Sequence, residues 1–230
     1  MYVSKEVTRR SVLKAVAAGG AMFITGRSYG SGSIRPGKRS IILHNSDFYD
    51  DGAFNKKKAC QAYYDMMKRF GYPIPSVLRT DQFWTSDFAQ NDFANVGMAG
   101  IFWINNTEHG YFGHEIYLLP GQMIVEHRHN VVAEGPAKME SWHVRHGLVH
   151  TFGEGEPTQN LPCRLPESQL QANGITARRC YTLREGEIGT LNRITAPHFM
   201  IAGSKGAIVT EYGTPHYDDA LEFTNKTVVF

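Results

Sequence analysis

Cysteine is scarce in this sequence. Only three of its 230 residues are Cys, at positions 60, 163 and 180. The odd number and the lack of any CxxC spacing exclude a zinc ribbon and a complete disulfide framework. A Cys163 to Cys180 bridge is open to the chain in an oxidising compartment, with buried free thiols as the alternative. Long apolar runs are also missing: Ala15 to Thr25 spans about 11 residues, whereas a membrane helix needs ~20, so no stable membrane insertion is expected. Nor is there a surplus of one charge. The formal net charge is +2, but residues 1–30 hold five of the 24 Lys and Arg (Lys5, Arg9, Arg10, Lys14, Arg27) and one of the 22 acids, Glu6. The rest carries 19 basic and 21 acidic side chains, which removes the electrostatic case for nucleic acid.

The basic start has its own explanation. Thr8-Arg9-Arg10-Ser11-Val12-Leu13-Lys14 precedes the short apolar run and then the small-residue stretch Ser28-Tyr29-Gly30-Ser31-Gly32-Ser33. This is the layout of a secretory signal, and the paired arginines resemble the twin-arginine type. The alternative is an ordinary basic amphipathic helix. The signal reading implies recognition by the twin-arginine export machinery, a periplasmic product and cleavage after Gly30.

Further on, Ile41, Ile42 and Leu43 suggest a short strand over Ser40 to Asn45. Between Phe54 and Phe70 the residues Cys60, Tyr63, Met67 and Phe70 recur at three and four positions. That spacing predicts an amphipathic helix, stopped by Gly71 and Pro73. From about Gly97 the texture changes to short apolar or alternating runs separated by Gly and Pro: Met98 to Ile104, Glu115 to Leu119, Met123 to His129, Trp142 to Phe152, Arg178 to Leu183, Gly189 to Ile194, Phe199 to Ala202 and Ala207 to Tyr212. Such runs predict a mainly β antiparallel sandwich or barrel with the helix packed outside it. Residues 153–177, rich in Pro, Gly and Gln, read as a long loop over a site mouth.

His127 and His129 are the residues with the most chemistry to offer. Alternate side chains of a strand share a face, so both imidazoles point the same way, into a barrel if Val125 does too. An HxH alone is weak. Here it follows Pro120-Gly121 with the spacing of the first cupin motif, and Ala196-Pro197-His198-Phe199 stands where the second cupin motif supplies another His. Cupins are double-sheet jelly rolls. Two glutamates compete as the carboxylate partner. Glu134 fits the shortest cupin spacing, but Glu134-Gly135-Pro136 is turn chemistry. Glu140 opens the run Glu-Ser-Trp-His-Val, and a hairpin returning from His129 carries it back beside the histidines. The residues favour Glu140 without excluding Glu134. His127, His129, Glu140 and His198 make a three-imidazole, one-carboxylate set suited to Mn²⁺, Fe²⁺ or Zn²⁺. His143, His146 and His150 read as strand or substrate-contact residues, and His44, His109 and His114 as surface or hydrogen-bonded core.

Lys138-Met139-Glu140, Arg145-His146-Gly147, Pro197-His198-Phe199 and the tail Glu211-Tyr212-Gly213-Thr214-Pro215-His216-Tyr217-Asp218-Asp219 together resemble the D-lyxose isomerase family of cupins. The resemblance covers roughly residues 54 to 230. It implies a cupin double-stranded β-helix over 96–230, which follows the signal over 1–30 already read from the residues and an extension with the helix over 31–95. It further implies Mn²⁺-dependent interconversion of an aldose and a ketose, of the D-lyxose/D-xylulose or D-mannose/D-fructose type, with the glutamate of Lys-x-Glu as a ligand. That supports Glu140. A small sugar is the expected partner, and the fold suggests a homodimer. The segment between His129 and Lys138 is longer than the family pattern, and Ser141 stands where an Asp usually follows the ligand Glu.

Isomerisation needs a proton removed next to the carbonyl and an enediolate stabilised, tasks for a carboxylate and a divalent metal. Glu211, two residues before Gly213, is the candidate base, and Lys138 the candidate holder of a substrate oxygen. An iron-dependent dioxygenase and a non-catalytic sugar-binding cupin are the competing readings.

Overall fold

The computed structural model describes residues 42–230. The signal segment lies outside the described residues. Among those that are described, no helix is long and apolar enough to cross a membrane.

A two-stranded hairpin, β1 (Tyr49–Asp50) with β2 (Ala53–Phe54), leads into α1 (Lys56–Phe70). The Asn55 side chain accepts from the Lys58 N–H and so caps the first turn. Past Phe70 the chain leaves the helix at Gly71 with φ of 68°, a conformation that costs Gly nothing. The predicted helix therefore forms almost to the residue. The strand expected over Ser40 to Asn45 does not form in its described part: Ile42 is 75% exposed and Asn45–Asp47 make a single 3-10 turn. Three apolar residues with no sheet edge to join have no ladder partners.

Strands β3 (Trp84–Ser86), β4 (Met98–Asn106), β5 (Tyr111–Leu118), β6 (Met123–His129), β7 (Glu140–Gly153), β8 (Arg179–Arg184), β9 (Ile188–Thr190), β10 (His198–Gly213) and β11 (Leu221–Phe223) form one curled antiparallel sheet. A short helix, α2 (Glu167–Gln171), interrupts the 153–177 segment. Phe199 to Ala202 and Ala207 to Tyr212, read as two runs, are one long strand. β10 pairs with β6 and β7 along its first part and with β5 and β7 along its second, with a register shift between Ala202 and Ala207. Gly147 (φ 77°) lies at this shift, where a Cβ would stand 2.1 Å from the Gly206 carbonyl oxygen. One strand shared by both walls is what closes the barrel.

Two cores result. Inside the barrel, Ile116, Ile124, Val125, Trp142, Val144, Met200 and Val209 pack together. Outside it, Tyr63, Met66 and Met67 of α1 cover Ile101, Tyr117, Leu119 and Ile208. The Tyr and Met stripe of the helix is thus core packing. The 153–177 segment does not cover a site mouth: Leu161, Cys163, Leu165 and Ile175 pack on Met123, Phe152, Phe199 and Ile201. Its apolar residues are drawn to that second outer face, and Glu126 anchors its end by accepting from the backbone N–H groups of Thr176 and Ala177. Cys163 and Cys180 both stand as free thiols against this cluster.

Candidate metal centre

His127 and His129 close β6, and His198 opens β10 directly opposite His127. From Ile124 to His127 takes three residues, while the facing stretch from His198 to Met200 takes two. The extra residue is a β-bulge, and it turns Ile124 and His127 to the same cavity wall. The ligand nitrogens of His127, His129 and His198 all lie within 4.8 Å of one another.

Glu140, the first residue of β7, joins them from the other wall. One carboxylate oxygen lies 2.7 Å from His129 Nε2 and the other 3.2 Å from His198 Nε2. Glu134 is exposed in the turn where Val132 bridges Gly135, away from this group. The structure therefore brings together the three histidines and Glu140, with Lys138 and Glu211 beside them, and leaves Glu134 outside.

The protein holds these rings in one orientation. His127 Nδ1 lies 2.9 Å from the Val125 carbonyl and His198 Nδ1 2.9 Å from the Ala196 carbonyl. A carbonyl can only accept, so each Nδ1 carries the proton and each Nε2 presents a lone pair. Among the described residues, the buried Glu140 Oε1 and His198 Nε2 have no hydrogen-bond partner. Lone pairs of imidazole and carboxylate converging at 2.7 to 3.2 Å repel one another unless a cation lies among them. The residues therefore fit a divalent ion with nitrogen and oxygen ligation.

The electrostatics mark a site that draws positive charge: burial works against charge on His198, but the Glu140 carboxylate outweighs it and raises that imidazole. Burial, with the neighbouring His198 and His129, holds His127 well below the usual histidine range. Burial works against charge on Glu140 too, but Lys138, His129 and His198 outweigh it and hold the carboxyl well below its usual range.

Lys138 is buried, only 3% exposed. It donates to Glu211, lies 3.3 Å from Glu140 Oε1 and sits 3.9 Å above the Phe112 ring. Burial opposes its charge, but Glu211 and Glu140 win and raise it. Its approach needs Gly213, where a Cβ would stand 2.8 Å from the Met139 carbonyl oxygen and 3.2 Å from Lys138 Cε. Glu211, 5% exposed, lies on β10 between His114 on β5 and Trp142 on β7. Burial and the Glu140 charge push its carboxyl up, yet Lys138 and His114 bring it down to about 2.

Glu140 and His198 line a small void together with His127 and Glu211, and His127, His129, Lys138 and Glu211 line the larger cavity beside it. Its remaining walls are Trp84, Phe88, Phe102, Phe223 and Phe230, together with His114 and His216. His114 is the hydrogen-bonded core residue that one of its two sequence readings allowed, but sequence reasoning placed neither histidine in the site. His114 alternates with Phe112 and Ile116, a phase that could have marked it as inward. His216 stacks on Phe112 and lies 3.1 Å from Asp218 through Nε2, an irregular segment with no periodicity to read. His146 is elsewhere, stacked on Phe70 and edge-on to Tyr72, and His150 bonds Thr182.

No family model matches the chain. It is 31% identical over 172 residues to the D-lyxose/D-mannose isomerase of Thermosediminibacter oceani, covering 75% of this chain and 92% of that protein. Its identity to the D-lyxose ketol-isomerase of Cohnella laeviribosi is 30% over 165 residues, covering 71% and 87%. Among solved structures, the L-ribose isomerase of Cellulomonas parahominis superposes with a TM-score of 0.57 at 14% identity, covering 73% of this chain and 90% of that one. That likeness shows the fold, a cupin barrel.

Proposed function

The chain belongs to the D-lyxose isomerase family, and from that membership we propose a metal-dependent sugar isomerase that interconverts an aldose and a ketose of the D-lyxose/D-xylulose or D-mannose/D-fructose type. The observation that carries the reading is the buried Lys138 to Glu211 ion pair in the same cavity as His127 and His129 of the histidine cluster. A proton acceptor and a cation placed next to a cation-binding set are the parts that carbonyl migration needs.

His127, His129, Glu140 and His198 would hold the ion, most simply Mn²⁺, with Fe²⁺ or Zn²⁺ also compatible with the donor set. When bound, such an ion supplies polarisation of the substrate's carbonyl and hydroxyl oxygens. The chain's own residues do the rest. Glu211, ionised at neutral pH, takes the proton from C2 of the aldose and returns it to C1, while the hydroxyl proton moves from O2 to O1. Lys138 stabilises the enediolate oxygens between the two transfers. While Lys138 is fully engaged with Glu211, the carboxylate is a weak base. A substrate oxygen that shares the ammonium raises the carboxylate's proton affinity at the moment transfer is required. The aromatic walls keep bulk water from the enediolate.

The test is to purify the full chain, measure its metal, and offer pentoses and hexoses under oxygen monitoring. Conversion of an aldose to its ketose without oxygen uptake is expected. Oxygen consumed in step with substrate, or no aldose converted by metal-loaded protein, would overturn the reading. Export by the twin-arginine route and assembly as a homodimer are proposals carried by the sequence and the cupin fold.

A further inference from the structure

The proposed reaction makes no use of His114, although the ring lines the cavity and is 4% exposed. It stands on β5 directly across from Glu211 on β10, with Nδ1 3.3 Å from Glu211 Oε2. A carboxylate only accepts, so Nδ1 carries the proton. Nε2 is buried without a partner and lies over Gly100, where a Cβ would stand 2.3 Å from it. In a neutral imidazole one nitrogen donates and the other accepts, so with the proton on Nδ1 the lone pair is on Nε2. The ring plane is fixed by Trp84, stacked at 5.6 Å and 26°, and by Phe102, edge-on at 4.8 Å.

Resting on the isomerase reading, we propose that His114 is a positioning residue. It donates Nδ1–H to Glu211 Oε2 while Lys138 holds Oε1, and this clamps the carboxylate where it reaches both C1 and C2. The terminal torsion of a glutamate is soft, with no sharp rotamer to hold the carboxylate plane. Lys138 cannot be its sole holder, because the ammonium is shared with substrate during turnover. His114 is then the group that keeps the carboxylate from swinging. A base misplaced by about 1 Å loses on the order of 10²-fold in rate.

Two variants of the metal-loaded enzyme separate positioning from packing. His114→Phe keeps a flat ring between Trp84 and Phe102 but removes the donor, whereas His114→Asn keeps an N–H near the Nδ1 position and removes the ring. His114→Phe should lose roughly 10- to 10²-fold in kcat, with KM and metal content within about twofold of wild type. His114→Asn should recover much of that kcat despite melting at a lower temperature. Wild-type kcat in His114→Phe, or a His114→Asn no faster than His114→Phe, would show that the ring only packs. Nitrogen-15 histidine NMR of the wild-type protein, with the His114 signals identified by their loss in His114→Phe, should show the Nδ1-protonated tautomer. An Nε2-protonated ring overturns the hydrogen bond regardless of activity. If the wild type converts no aldose, the isomerase reading falls, and with it the catalytic purpose of the clamp. The tautomer still decides whether the hydrogen bond exists.

Discussion

The carboxylate of Glu140 lies 2.7 Å from Nε2 of His129, although ten residues of chain run between the strand that ends in one and the strand that begins with the other. The contact leads to a prediction about metal. Changing His127, His129, Glu140 or His198 to Ala should each sharply lower bound metal, and Glu134→Ala should leave it nearly stoichiometric. Elemental analysis of purified variants checks this. Metal retained by Glu140→Ala and lost by Glu134→Ala would assign the ligand to the wrong glutamate.

Glu211→Gln should keep the metal and lose on the order of 10²-fold or more in turnover, the usual scale for a general base. Wild-type turnover in that variant would move the role to another group. In D₂O, deuterium on the product carbon would show that the base exchanges its proton with solvent.

Lys138→Met should destabilise the fold by about 3–5 kcal/mol, because it leaves Glu211 and Glu140 buried without their cation. Adding Glu211→Leu should restore much of that loss in denaturant unfolding while activity stays absent. Equal instability of the single and double variants would show that the ion pair is not the cause.

Gly100→Ala puts a Cβ 2.3 Å from His114 Nε2 and 2.5 Å from the Trp84 ring. It should cost about 1–3 kcal/mol by overpacking and lower kcat by disturbing the ring that holds Glu211. Gly153→Ala, where a Cβ meets nothing within 4 Å, is the control. Thermal melts and kinetics of the pair check both halves.

Arg9→Lys combined with Arg10→Lys should trap precursor in the cytoplasm, and exported wild-type protein should begin near Ser31. Amino-terminal sequencing of periplasmic fractions reads the second outcome. Normal export of the double variant would remove the twin-arginine assignment.

Local patterns were legible where chemistry and periodicity coincide. The helix over Lys56–Phe70 could be read from its three-and-four spacing and its glycine stop, and the strand Met123–His129 from its boundaries. Glu140 was separable from Glu134 because a Glu-Gly-Pro turn and an alternating run are different local structures. The short strand expected near Ile42 failed for the converse reason: three apolar residues fit any element, and only a neighbour to pair with would have made them a strand.

The sequence by itself determined the residue types of the site, the barrel class and the family, since these depend on spacing along the chain. Tertiary structure alone decided that a bulge in β6 aligns Ile124 with His127, that one strand serves both walls, and that the 153–177 segment lies away from the cavity. It alone put His114 against Glu211, 97 residues apart. Strand pairing across such separations depends on which apolar faces can be buried together, and a bulge moves a side chain from one face to the other. No period in the local sequence records either.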